Sequence, residues 1–148
     1  DAFEVPKIIC PSIVKRLSAT MDNKHLYAND KTIIIPVEDY CLLGLINSKL
    51  MDFCFRKVAT ELKNEHFELK PGVLSSLPIH KRLSEHRDKT CREIEAAAIR
   101  LSELYSLSPL KTASPFHDEK ITAEKNLNRL VYRLYKLTPK EIALIENY

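Results

Sequence analysis

Glycine is scarce in this chain, two in 148 residues, and tryptophan does not occur. Gly44 and Gly72 stand far apart, so no glycine-rich loop exists to cradle a phosphate, and nucleotide-binding fingerprints of the G-x-G-x-x-G and P-loop kinds are excluded. H-E-x-x-H and G-x-S-x-G are missing too. No run of eighteen apolar residues occurs, so no membrane-spanning helix is expected, and no signal peptide opens the chain. Paired cysteines are also lacking. Cys10, Cys41, Cys54 and Cys91 are scattered, and Cys41 and Cys54 fall on apolar stretches as small core residues suited to a reducing cytoplasm. His80, His86 and Cys91 come nearest to metal-ligand spacing, without the close pairs a zinc site uses, so no metal is expected. Finally, no strong excess of one charge exists. The net charge is +3, residues 1–80 carry ten Lys/Arg against ten Asp/Glu, and residues 81–148 carry thirteen against ten. Proteins held to nucleic acid mainly by phosphate contacts are usually more basic; this balance permits DNA binding without arguing for it.

What is present organises around residues 40–50. Leu42, Leu43, Leu45, Ile46, Leu50, Phe53 and Val58 recur at three- and four-residue steps, which predicts one amphipathic helix from Tyr40 to about Leu62. Asn47-Ser48-Lys49 inside it reads as a solvated face. Before it, Ile33-Ile34-Ile35 stopped by Pro36 is a buried strand. Val5 to Pro11, bracketed by prolines, reads as an edge or opening strand. Ser12 to Asn29 reads as strand, turn, strand, with turn signals at Asp22-Asn23 and Asn29-Asp30-Lys31. Pro71-Gly72 fits a type II turn, followed by a short strand over 74–79.

Composition shifts at His80. Residues 81–106 hold no Pro or Gly and predict one long helix, with Cys91, Ile94, Ala98, Leu101 and Tyr105 forming a heptad-like seam. A proline-bearing linker over 106–117 leads to a helix from Asp118, and Thr138-Pro139-Lys140-Glu141 is a capping box opening a last helix. The expectation is an α+β chain: a small mixed β-sheet on a central helix over residues 1–80, then a helical spacer or docking region over 81–148, made of a long helix, a linker and a helical hairpin. The carboxylates sit next to Lys or Arg on helical surfaces, and His25 and His66 have no evident nucleophile or metal partner. The chain reads as a binding module with no catalytic site of its own. It opens at Asp1 without a methionine, which fits a segment of something longer.

Three blocks carry a resemblance. Pro6-Lys7-Ile8-Ile9, then Ile33-Ile34-Ile35-Pro36 through Leu45-Ile46-Asn47-Ser48-Lys49-Leu50, and Leu74-Ser75-Ser76-Leu77-Pro78-Ile79 resemble, in that order, the TaqI-like C-terminal specificity domain. That domain is the target-recognition part of adenine-N6 DNA methyltransferases and of fused restriction-modification enzymes. The tail from Asn128 to Ile142 is similar to the closing segment of such proteins, with two departures. The family usually has glycine where Lys136 stands, a position suited to the left-handed end of a helix, and an acidic residue where Asn128 stands.

The resemblance implies double-stranded DNA as partner. It also implies a separate methyltransferase domain of the same polypeptide, carrying S-adenosylmethionine and an N-P-P-Y-type motif that this chain lacks. Polar loop residues would then read base edges: Arg16, Asn23, Lys24, His25, Asn29 and Lys31 are the candidates, since Arg suits guanine and Asn suits adenine in the major groove. Lys7, Lys49 and Lys70 are the phosphate candidates. The competing expectation is a protein-protein module, in which the seam from Cys91 to Tyr105 docks on a partner helix or forms a dimer.

Overall fold

A computed structural model describes residues 4–24, 31–85, 89–108 and 115–148. The fold is α+β. Its strands form two small sheets, antiparallel at every pairing, in place of one mixed sheet. The first has the order β3-β1-β4, from β1 (Lys7–Pro11), β3 (Thr20–Asp22) and β4 (Thr32–Ile35). β1 is therefore central, not an edge. Its prolines allow this, because Pro6 precedes the strand and Pro11 ends it, leaving the intervening N–H groups for the two ladders. The second sheet, β2-β6-β5, joins β2 (Ile13–Val14), β5 (Thr60–Glu61) and β6 (Phe67–Glu68).

The central helix is two helices. α1 (Tyr40–Ile46) stops at Asn47, and α2 (Lys49–Val58) starts after Ser48. Ser48 breaks the helix by capping it: its extended backbone aims Oγ at Met51 N, while the same hydroxyl donates to Leu45 O at 2.7 Å. Ser48 is fully buried, so the Asn-Ser-Lys triplet is a joint and not a solvated face. Beyond α2 the chain is extended at Thr60–Glu61, not helical to Leu62.

The segment Pro71-Gly72 is a helix start, not a type II turn. Pro71 occupies the first turn of α3 (Pro71–Ser76), where its fixed φ suits a helix and its missing N–H costs nothing. Gly72 has no positive φ, and the expected strand over 74–79 is the end of α3 followed by a turn that buries Leu77 and Ile79.

The second half is helical: α4 (His80–Glu85), α5 (Lys89–Leu107), α6 (His117–Leu134) and α7 (Pro139–Glu146). At α7 Thr138 Oγ1 accepts from Glu141 N and Glu141 Oε1 accepts from Thr138 N, the expected capping box. One hydrophobic cluster runs from Ile8 and Leu17 through Leu45 and Met51 to Ile94, Val131 and Ile145, so the two segments share a core. Gly44 sits where α1 meets α5 and α6. A Cβ there would lie 2.9 Å from Ile94 Cγ2 and 3.2 Å from Leu127 Cδ1, so only glycine lets α1 lie this close to α5 and α6. Cys91, Ile94 and Ala98 of the heptad-like seam are buried in this packing, against elements of the same chain.

Candidate nucleic-acid interface

The loop richest in candidate base readers leaves the first sheet after β3 and returns at Lys31, just before β4. Its root is held by a buried ion pair. Lys7 and Asp22 face each other across the β1–β3 ladder, with Nζ 2.6 Å from Oδ2, and Lys7 is fully buried. Asp22 Oδ1 also accepts from Lys24 N at 2.9 Å, turning the chain out of the sheet. Lys7, expected on the surface as a phosphate contact, is instead fully buried on the face of β1 opposite Ile8 and Cys10, and its ammonium is committed to the Asp22 carboxylate. Asn23 and Lys24 are exposed at one end of the loop and Lys31 at the other. Asn23 Nδ2 donates to Tyr40 Oη at 3.1 Å, and the Lys31 carbonyl accepts from Ser12 N and Oγ. His25 and Asn29 lie outside the described residues.

A second polar network pins residues 15–19 to the α1–α2 joint. Asn47 makes a two-way amide bridge to Ala19, Oδ1 accepting from its N and Nδ2 donating to its O, at 2.8 and 3.0 Å. Arg16 Nη2 donates to Asn47 O at 2.8 Å. Asp52 accepts from Leu17 N and from Arg56 Nε, and Arg56 Nη2 reaches Lys15 O. Arg16 is thus half-buried and engaged in the joint, which takes it out of the set of outward-reaching readers. Replacing Asn47 with Ala is expected to cost about 1–3 kcal/mol, because the backbone N–H and C=O of Ala19 lose partners in a part-buried site. Urea unfolding measures it, and an unchanged midpoint would contradict the bridge.

The joint opens onto a groove of about 900 Å³ between α2, α6 and α7. Arg16, Lys49, Lys125, Arg129, Arg133 and Lys136 line it, against two carboxylates, Glu124 and Glu146. Ile121, Leu137 and Ile142 contribute its apolar lining. Lys49 Nζ lies 2.7 Å from Glu146 Oε2, while Glu146 Oε1 accepts from Tyr132 Oη at 2.6 Å. The Lys49 ammonium and then the Tyr132 hydroxyl hold the Glu146 carboxyl below its ordinary range; burial and the same carboxylate push the Tyr132 hydroxyl up. Because the folded form lowers that carboxyl's pKa, its contribution to stability is present at neutral pH and is lost as pH falls through the depressed value. Lys49 N donates to α6: Asn128 Oδ1 accepts at 2.8 Å, at the positive end of α2, a place where an acidic residue would serve equally. Lys136 adopts φ 53°, the left-handed end of α6, so lysine stands in a conformation that favours glycine. Lys70, the last phosphate candidate, is exposed at 3.9 Å from Glu68 and lies away from this groove.

The sequence reading missed Lys125, Arg129, Arg133 and Lys136. The four-residue steps from Lys125 to Arg129 to Arg133 are the available signal, since they place three cations along one face of a helix, with Lys136 three residues further on past its end.

The exposed polar residues Asn23, Lys24 and Lys31 and the cation-lined groove are thus carried by segments that share one hydrophobic cluster. The sequence profile of the TaqI-like C-terminal specificity domain matches residues 1–79, and the chain belongs to that family. The family ties it to DNA-specificity modules of methyltransferases and restriction enzymes. No curated protein matched the chain in a sequence comparison. No described helix is long and apolar enough to cross a membrane.

Proposed function

We propose that this chain reads a specific sequence in double-stranded DNA for an adenine-N6 DNA methyltransferase or a fused restriction-modification enzyme. In that role it holds a separate methyltransferase domain of the same polypeptide on its target. S-adenosylmethionine belongs to that domain.

The observation that carries this reading is the family match over residues 1–79, the segment that contains Asn23, Lys24 and Lys31 and the buried Lys7–Asp22 pair. A side chain beside a fixed ion pair reaches a base edge with less ordering cost than a loosely held one. Asn23 and Lys24, both exposed, are the described residues best placed to reach out; an Asn amide pairs with adenine N6 and N7, and a Lys ammonium with guanine O6 or N7.

Selection of bound duplexes from a random pool tests this. One enriched sequence is expected. Asn23→Ala or Lys24→Ala is expected to weaken binding to that sequence by about 1–3 kcal/mol with little change on random duplex, the mark of a base contact. A pool that yields no enriched sequence would sink the reading. The seam offered to a partner helix gains no support here, since Cys91, Ile94 and Ala98 are buried within the chain.

A further inference from the structure

Four of the six cations in the groove between α2, α6 and α7 lie in α6 or just past its end, outside the segment that the family profile matches. Three of its six cations have no carboxylate at ion-pair distance among the described residues: Lys125, Lys136, and Arg129, whose Nη2 donates only to the neutral Asn126 Oδ1 at 2.8 Å. The other cations are engaged, Lys49 with Glu146, Arg133 with Glu93 at 2.8 Å, and Arg16 with the Asn47 carbonyl. Glu124 is turned away to the Tyr105 hydroxyl at 2.6 Å, which burial and that hydrogen bond push up to about 12. Unbalanced cations therefore face open space beside a groove with an apolar lining.

We infer that this groove is a docking track for one sugar-phosphate strand of duplex DNA, with Lys125, Arg129 and Lys136 as its phosphate contacts. The charge pattern favours a strand over a single phosphate or nucleotide. Lys125 and Arg129 are one helical repeat apart, about 6 Å along α6, and Lys136 continues the row past the helix end, so the positive charge is a line and not a point. At the helix end the N–H groups of Tyr135, Lys136 and Leu137 are all spent on carbonyls of α6, so they do not concentrate charge at one spot along it. Ile121, Leu137 and Ile142 offer apolar contact to sugar faces between phosphates, which an acidic peptide would not use in the same way. Phosphate contacts fix register and supply sequence-independent affinity. The helical extension would then carry the grip, while the matched segment carries the reading. The inference rests on the proposed role in DNA recognition and assigns it a second surface.

The conformation of Lys136 supplies a variant that should not harm the fold. With φ 53°, Lys136→Gly relieves a left-handed lysine, so Tm is expected to rise while one phosphate contact is lost. Lys125→Gln and Arg129→Gln change exposed positions and should leave Tm nearly unchanged. The test is binding of the 148-residue chain to a fluorescent duplex over a salt series, first on random sequence and then on any sequence selected from a pool. Each lost contact is expected to reduce the slope of log K against log salt by about 0.9, and the triple variant by nearly three times that. Affinity is expected to fall at least tenfold at 0.1 M salt, equally on selected and random duplex.

Unchanged slope and affinity in the folded triple variant would overturn the groove. If the selected sequence is still preferred in that result, the DNA-reading role stands without it. If the wild-type chain binds duplex with a slope that these variants abolish but prefers no sequence, the groove stands and the reading role fails. A wild-type chain that binds no duplex overturns both.

Discussion

Lys7→Ala is expected to destabilise the protein by about 3–5 kcal/mol, the cost of leaving a buried carboxylate without its partner. Asp22 would keep the hydrogen bond from Lys24 N but lose the ammonium 2.6 Å away. In a chain of this length the loss corresponds to a Tm lower by roughly 6 to 20 °C. The companion variant, Lys7→Met with Asp22→Leu, removes both charges and keeps apolar volume. Buried ion pairs replaced in this way often lose little stability, so most of the Tm is expected to return. Thermal unfolding of the single and double variants measures the coupling between the two positions. The double variant also separates two roles for Lys7. A phosphate contact would cost about 0.9 in the salt slope on duplex DNA, whereas the buried pair predicts no change in slope. A single variant as stable as wild type would show that Lys7 reaches solvent after all.

The reason Lys7 was misplaced is general to this chain. Features written in adjacent residues are legible: the capping box at Thr138 is complete within four positions, and the Ile33-Ile34-Ile35 run announces β4 by its branching, although that strand is a half-buried edge and not the buried strand expected. Features whose partners are distant in sequence are not. The helix break at Asn47 is set by Ala19, 28 residues earlier, and stabilised by Asn128, 79 residues after Lys49. Without those partners, Asn-Ser-Lys in an apolar period reads as surface. Pro71-Gly72 failed for another reason, since proline fits the second position of a turn and the first of a helix equally well, and only packing of Leu77 and Ile79 decides. The groove combines both cases. Its row of cations is visible in α6, but that this face meets α2 and α7 follows from folding.

Mild oxidation is expected to join Cys41 to Cys91. Their Sγ atoms lie 2.7 Å apart in a buried contact between α1 and α5, so a small side-chain shift reaches the bond length of about 2.05 Å. An azo-type oxidant such as diamide takes up the two electrons and two protons released as the thiols couple. Cys10 is a poor competitor, because burial pushes its thiol up to about 11 and leaves little thiolate. The bridge would close a loop between residues 50 apart, worth about 4 kcal/mol in the chain-entropy account, with a Tm higher by on the order of 10 °C. Peptide mapping after oxidation identifies the bond, and Cys91→Ser supplies the control. The bridge also probes function. Cys41 lies in the segment that the family profile matches and Cys91 in the helical extension, one turn from the contact of Gly44 with Ile94. If the two segments act as one rigid body, the oxidised protein should bind duplex DNA as tightly as the reduced one. A bridge that forms readily, raises Tm and yet weakens DNA binding would mean that α5 must shift on α1 for loop and groove to engage one duplex together. No bridge in protein loosened by sub-denaturing urea, where the oxidant reaches both buried thiols, would place the two sulfurs beyond bonding reach.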